Sequence, residues 1–174
     1  MNALQYAAGP GSRRVRVKVC GLTRAEDARA AVQCGVDAIG MIFYPPSPRG
    51  VDIAAAVAVA EAVPAFVTTV GVFVDAREEE VAGIVERVRL DLIQFHGRES
   101  PQRCARAPRP FIKAVAMSHG VNVDDMAARY VGARALLLDT HSERKGRHRT
   151  QLRLGTCEGS RRDADRSCRR HQRG

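Results

Sequence analysis

Short apolar runs rich in β-branched residues recur along the first 143 residues of the chain, separated by stretches with helical spacing. A short β-branched run is typical of a buried strand, and apolar residues three and four positions apart are typical of an amphipathic helix. Strands that alternate with helices predict an α/β fold with a parallel sheet. The predicted strands are Val15–Cys20, Ala38–Phe43, Phe66–Phe73, Leu92–Phe95, Phe111–Ala116 and Ala135–Leu138.

Two of the predicted helices have clear boundaries. The first has Thr23 as its N-cap, with Glu26 three residues later, and the third extends from about Arg77 to Val88.

Six strands and five helices are too few to close an eight-stranded barrel, so two architectures remain open. One is an open doubly wound sheet, and the other is a (β/α)₈ barrel that lacks its last part. No Gly-x-Gly-x-x-Gly or Walker loop follows a strand, which argues against a nucleotide-binding sheet.

The pattern ends between Glu143 and Arg144. From Arg144 to Gly174 there is no Val, Ile, Phe or Tyr, and this segment holds 11 of the 28 Lys and Arg residues but 3 of the 19 acidic residues. Most of the net charge of +9 therefore belongs to the tail. We expect 1–14 to be a flexible extension, 15–143 to be one folded domain and 144–174 to be disordered, because so few apolar residues cannot offset the entropy of ordering a chain.

The five cysteines form no Cys-x-x-Cys pair, which argues against a zinc site and against a disulfide framework. We see no secretory signal and no run of apolar residues long enough to span a membrane. These features favour a cytoplasmic protein without a metal.

Reactive side chains of parallel α/β folds lie at the carboxyl ends of strands. Cys20 ends the first predicted strand and shares a face with Lys18, whose ammonium would favour a thiolate. The alternative is that Cys20 is a small core residue. Cys34 and Cys104 fall within helical stretches, where a structural role is favoured.

Three other strand ends carry polar groups. Asp139 follows a run of apolar residues and is either a general acid or a turn residue. Arg49 lies in a proline-rich loop after the second strand and is either an anion-binding fork or a solvated cation. His96 ends the fourth strand, where a structural role is common, and no second histidine stands at metal-ligand spacing.

Together these strand ends resemble the phosphoribosylanthranilate isomerase family of tryptophan biosynthesis. Six motifs occur in the order and at the spacing of that family, covering about residues 15–143. The matching segments are Val17–Thr23, Ile39–Pro45 with Ser47–Arg49, Val70–Val74, Ile93–Gly97, Ile112–Ala114 and Leu136–Thr140.

The resemblance implies a (β/α)₈ barrel that needs no metal or cofactor, of which this chain holds about six units. It also implies an Amadori rearrangement of a phosphorylated aminoaldose attached to anthranilate, in a monomer or a homodimer. By this resemblance Cys20 is the general base that takes the proton from C2 of the ribose, and Asp139 is the general acid that protonates the ring oxygen. Arg49 would hold the anthranilate carboxylate, and His96 would line the site.

The family continues after Leu-Asp-Thr with a glycine-rich Gly-Gly-Thr-Gly and a Phe-Asp-Trp, followed by two strands whose loops bind the substrate phosphate. This chain has none of these motifs. Reading the allowed codons from Arg144 one nucleotide out of frame can restore Gly-Thr-Gly, Phe-Asp-Trp and a strand-like Thr-Pro-Ile-Val-Leu followed by Ala-Gly-Gly. We therefore expect a frameshift at about Arg144, and a translated chain that aggregates and has little activity, because open sheet edges remain.

A second hypothesis is a nucleic-acid-binding module that uses the Arg-rich tail. The charge of the tail supports it, but the tail has no aromatic residues for stacking on bases. The sequence therefore favours the isomerase, with no nucleic acid and no membrane among its partners.

Overall fold

The computed structural model describes residues 14–118 and 120–140. The chain divides into two compact units, Met1–His141 and Ser142–Gly174, and all the described residues belong to the first. The elements of this unit, in chain order, are β1 (Lys18–Cys20), α1 (Ala25–Gln33), β2 (Ala38–Phe43), α2 (Ile53–Glu61), β3 (Thr68–Phe73), α3 (Glu78–Val88), β4 (Leu92–Phe95), α4 (Pro101–Ala105), β5 (Phe111–Met117), α5 (Val123–Arg129) and β6 (Leu136–Thr140).

The strands form one parallel sheet in the order in which they occur along the chain, from β1 at one edge to β6 at the other. A doubly wound sheet reverses its strand order at a switch point, whereas a (β/α)₈ barrel adds each new strand to the same side of the last. The observed order therefore decides between the two architectures that the sequence left open. The described part of the chain is a section of a (β/α)₈ barrel with six strands, as predicted.

One face of the sheet is covered by helices. Large apolar side chains alternate along the strands and point to this face, as the period of two of a β-strand requires. Helix α3 packs on it with the apolar stripe that the sequence predicted. The core formed there includes Ile39, Met41, Phe43, Phe73, Ile93 and Phe95 from the strands and Val81, Ile84, Val85 and Val88 from α3.

The predicted and observed elements differ chiefly at their ends. Helix α1 begins at Ala25 with Arg24 as its N-cap, so the assignment of Thr23 as the cap was wrong. The turn before α1 is set by Gly21 N and Leu22 N, which both donate to Gly40 O. The helix begins one residue later than a Thr23 cap would require, and Glu26 and Asp27 lie in its first turn, where negative charge is favourable.

The predicted N-terminal extension and tail lie mostly outside the described residues. Arg14, the last residue of the predicted extension, donates to Gly35 O at 3.1 Å and forms an ion pair with Asp37. The tail, residues 144–174, is not described. In the described part of the chain, no helix combines the length and the apolarity needed to cross a bilayer.

Candidate active site

The face of the sheet opposite the helices carries three polar side chains from strands far apart in the chain. In a parallel sheet, residues paired in register point to the same face. Cys20 is paired with Gly40, and Gly40 is paired with Val70. Gln94 is paired with Ile112. In β6, Asp139 is paired with Ala116 of β5, so it lies on this same face of the sheet. Cys20, Gln94 and Asp139 therefore share the inner face of the barrel section.

Cys20 and Lys18 lie together over a glycine. Cys20 is half-buried at the end of β1 and is paired with Gly40 of β2. A Cβ atom added to Gly40 would come within 2.9 Å of Lys18 Nζ and 3.0 Å of Cys20 Sγ. Both side chains thus occupy the space that the missing side chain of Gly40 leaves. The predicted shared face is confirmed, and it places the Lys18 ammonium near the Cys20 thiol.

Arg49 reaches back to the end of β1. Two turns shape its loop: Ser47 N donates to Tyr44 O at 2.9 Å, and Gly50 N donates to Ser47 O at 2.9 Å. Arg49 Nη1 donates to Cys20 O at 3.0 Å. Gly21, at a φ of +80°, lies directly under the guanidinium, since a Cβ there would be 2.9 Å from Arg49 Nη1. An exposed guanidinium with five donors is thus fixed beside Cys20, with donors left for a planar anion.

His96 joins β4 to Asp139 of β6. The imidazole Nε2 lies 3.2 Å from Asp139 Oδ2, and Nδ1 lies 3.0 Å from the amide nitrogen of Gln94. The structure therefore brings the four predicted site residues together as two pairs on the inner side of the sheet, Cys20 with Arg49 and His96 with Asp139.

The surroundings of Asp139 differ from those that the sequence suggested. The apolar run before it predicted a buried strand, but β6 is an edge of the described sheet and Leu138 is 53% exposed. The Asp139 side chain is itself 46% exposed. An apolar run marks a strand but does not reveal whether a neighbouring strand covers it.

A buried ion pair, which the sequence analysis missed, lies behind the turn that carries His96. Lys113 Nζ is 3.2 Å from Glu99 Oε2 and donates to Gly97 O at 2.7 Å, and both side chains are almost fully buried. Glu99 in turn accepts from Asp75 N at 2.9 Å and from Gly97 N at 3.0 Å. These bonds tie the turn after β3, the turn after β4 and strand β5 into one rigid support.

The other cysteines differ from Cys20. Cys104 is fully buried in α4, and its burial, together with the charge of Glu99, raises the pKa of its thiol to about 11. Cys34 is exposed and caps the end of α1. Among the described residues there is no group of three His, Cys, Asp or Glu side chains that could hold a metal ion.

Comparison with known proteins decides the family. The family model described as N-(5'-phosphoribosyl)anthranilate (PRA) isomerase matches residues 17–154. This chain belongs to the PRA isomerase family. The isomerase of Pseudomonas putida strain F1 is 52% identical over 127 residues, which are 73% of this chain and 62% of that protein.

Solved structures agree with this assignment. The PRA isomerase of Thermotoga maritima superposes with a TM-score of 0.69 at 38% identity, covering 79% of this chain and 67% of that one. A PRA isomerase in complex with reduced 1-(o-carboxyphenylamino)-1-deoxyribulose 5-phosphate gives a TM-score of 0.67 at 38% identity, covering 74% and 66%. The chain thus spans less than two thirds of the length of the curated relative from Pseudomonas putida.

Proposed function

We propose that this chain carries the acid and the base of a PRA isomerase, which converts N-(5-phosphoribosyl)anthranilate to 1-(2-carboxyphenylamino)-1-deoxyribulose 5-phosphate. The observation that carries the proposal is the convergence of family motifs from separate strands on one face of the sheet. Cys20 lies beside Lys18 and Arg49 at one edge, and Asp139 is bonded to His96 at the other. The comparisons support the isomerase and give no support to a nucleic-acid-binding module.

The first step opens the sugar ring. Protonated Asp139 gives its proton to the ring oxygen while the bond between that oxygen and C1 breaks. The lone pair of the anthranilate nitrogen then forms a C1=N bond, which gives a protonated Schiff base. His96 Nε2, 3.2 Å from Asp139 Oδ2, is placed to donate to the carboxylate that this step leaves behind.

The second step moves a proton from carbon. The thiolate of Cys20 takes the proton from C2, the C–H electrons form a C1=C2 bond, and the C1=N electrons return to nitrogen. The resulting enol becomes the ketone when its hydroxyl loses a proton and C1 gains one. The Lys18 ammonium lies over Gly40 on the same face of the sheet as Cys20 Sγ.

Among the described residues, Arg49 is the one placed to bind the substrate. Arg49 is exposed, is anchored on Cys20 O and has the planar fork that suits a carboxylate. The loops that the family uses for the phosphate would follow Glu143, and the sequence of this chain lacks their motifs. A frameshift at about Arg144, a cytoplasmic location and a state of monomer or homodimer stay predictions. Sequencing independent DNA through codon 144 tests the first, and a single continuous frame there would refute it.

Growth of a bacterial strain that lacks PRA isomerase tests the proposed function. The gene is supplied with its frame after Glu143 restored, either unchanged or with one substitution. We expect growth without tryptophan from the unchanged gene and from Cys34→Ser, the control at an exposed helix end. Cys20→Ser and Asp139→Asn should abolish growth, because each removes a group that moves a proton. Failure of the unchanged gene, or growth with either active-site substitution, would contradict the proposal.

A further inference from the structure

Gln94 is a polar side chain buried in the middle of the sheet. It is 2% exposed and lies on β4, on the same face as Cys20 and Asp139. Its amide nitrogen lies 3.0 Å from His96 Nδ1, whereas its amide oxygen is buried and has no hydrogen-bond partner within the described part of the chain. A buried oxygen without a partner costs about 1–3 kcal/mol. A cost of this kind suggests that the orientation of the amide serves its contact with His96.

The amide determines where the imidazole carries its proton. An amide NH₂ group can only donate, so Nδ1 must accept and the ring proton must lie on Nε2. That nitrogen is 3.2 Å from Asp139 Oδ2, so Nε2–H donates to the carboxyl group. Strand β5 separates β4 from β6, and on this face it presents the short side chains of Ala114 and Ala116. These leave room for His96 to reach across to Asp139.

Asp139 needs such support because it lies on an edge strand of the described sheet and its side chain is 46% exposed. Besides the exposed Arg98, three other charged groups lie around the turn of His96: Glu99 in that turn, Lys113 from β5 and Asp75 from the turn after β3. These three are engaged with one another and with the backbone: Lys113 pairs with Glu99, Glu99 accepts from Asp75 N, and Asp75 accepts from Arg98 N at 2.6 Å. Asp139 is thus the carboxyl group to which the imidazole is bonded.

We propose that Gln94 is a positioning residue that acts on Asp139 through His96. By donating to Nδ1, it holds the imidazole as the neutral tautomer with its proton on Nε2. That proton fixes Oδ2 of Asp139 and turns Oδ1 toward the substrate. The importance of this arrangement for catalysis rests on the proposed function, in which Asp139 is the acid, but the hydrogen-bonded chain itself does not.

The ring nitrogens of His96 report on this chain directly. Long-range ¹H–¹⁵N spectra at neutral pH distinguish a protonated from an unprotonated imidazole nitrogen. They are recorded on the ¹⁵N-labelled chain with its frame after Glu143 restored, and the loss of signals in His96→Gln assigns them. We expect Nε2 of His96 to be protonated and Nδ1 to be unprotonated. A proton on Nδ1 in the unsubstituted chain would overturn the proposal without any variant of Gln94.

Gln94→Glu then tests the role of the amide. A carboxylate of nearly the same shape can only accept, so Nδ1 should gain a proton and its signal should shift into the range of protonated nitrogens. Gln102→Glu adds the same charge at an exposed position of α4 and should leave the His96 signals unchanged. Unchanged signals in Gln94→Glu, or an equal shift in Gln102→Glu, would refute the proposal. No substrate is involved, so this outcome is independent of whether the chain is an isomerase.

Discussion

The centre and the edges of the sheet differ in what holds their residues in place. In the centre, Ile93, Phe95 and Lys113 are almost fully buried, and the ion pair between Lys113 and Glu99 joins two turns to β5. At the edges, Cys20 is half-buried on β1 and Asp139 is half-exposed on β6. Both groups that we propose to move protons thus lie on the two edge strands of the described sheet.

This difference indicates how stability and chemistry are divided in the described unit. The central strands are buried on both faces and fix the backbone. The edge side chains are then oriented by single contacts that reach from more central elements, such as Gln94 through His96 to Asp139 and Gly40 under Cys20. We therefore expect central substitutions to lower stability and edge substitutions to lower activity.

Lys113→Met should have the largest effect on stability. It removes the cation from a buried pair and leaves the Glu99 carboxylate without its counter-charge, which typically costs about 3–5 kcal/mol. Urea denaturation followed by circular dichroism measures the free energy of unfolding. The matched control is Lys113→Met combined with Glu99→Gln, which removes both charges and should be less destabilised than the single variant. A single variant as stable as the parent would show that the centre does not depend on this pair.

Gly71→Ala should have the second largest effect on the free energy of unfolding. A Cβ at this central position of β3 would lie 2.8 Å from Phe73 Cε2 and closer still to Leu90 Cδ1. Overpacking of this kind costs about 1–3 kcal/mol. Gly83→Ala in α3 is the control, because no atom lies within 4 Å of its added Cβ. That substitution should raise stability, since alanine is favoured over glycine in a helix by about 0.8–1 kcal/mol. Equal melting temperatures for the two variants would contradict the account of the centre.

Leu138→Lys at the edge should have the smallest effect on stability. Leu138 is 53% exposed, and exposed substitutions usually change stability by less than about 0.5 kcal/mol. A lysine on an edge strand also opposes pairing with another chain, so light scattering should show less aggregation. Val115→Lys is the control, because Val115 pairs with Leu138 in register but is 4% exposed. If the two lysine substitutions were equally harmful, the edge would be as buried as the centre.

The sequence predicts the strands and the site residues at their ends, because both depend on local patterns. A β-branched run marks a strand wherever it packs, and a reactive residue after the run is expected at the carboxyl edge of the sheet. The contacts of Lys113 depend on residues farther away in the chain, and the contact of Gln94 with His96 depends on how the turn after β4 places the imidazole. A signal for each was available, since each is a polar residue inside an apolar strand run. The partner of Lys113 could not be inferred, because Glu99 reaches it only when the turn after β4 packs against β5.

The predicted start of α1 at Thr23 shows a related limit of prediction from the sequence. Threonine followed by glutamate three residues later fits a capping box, but the turn after β1 is set by hydrogen bonds to Gly40 O on β2. Tertiary contacts of this kind override a local capping signal. The exposed edge at β6 fits the open sheet edges that the sequence led us to expect, although the apolar run before Asp139 does not itself show what lies beside the strand.

The turnover number and the melting temperature of Cys20→Ser, measured on one preparation of the chain with its frame after Glu143 restored, test most directly the central claim that Cys20 contributes to chemistry and not to stability. Serine keeps the size of the side chain but loses the readily formed thiolate. We predict that turnover falls by about 10²–10⁴-fold, the usual contribution of a positioned base, while the melting temperature is unchanged. Unchanged turnover, or a loss of turnover that is matched by a loss of folding, would contradict the account.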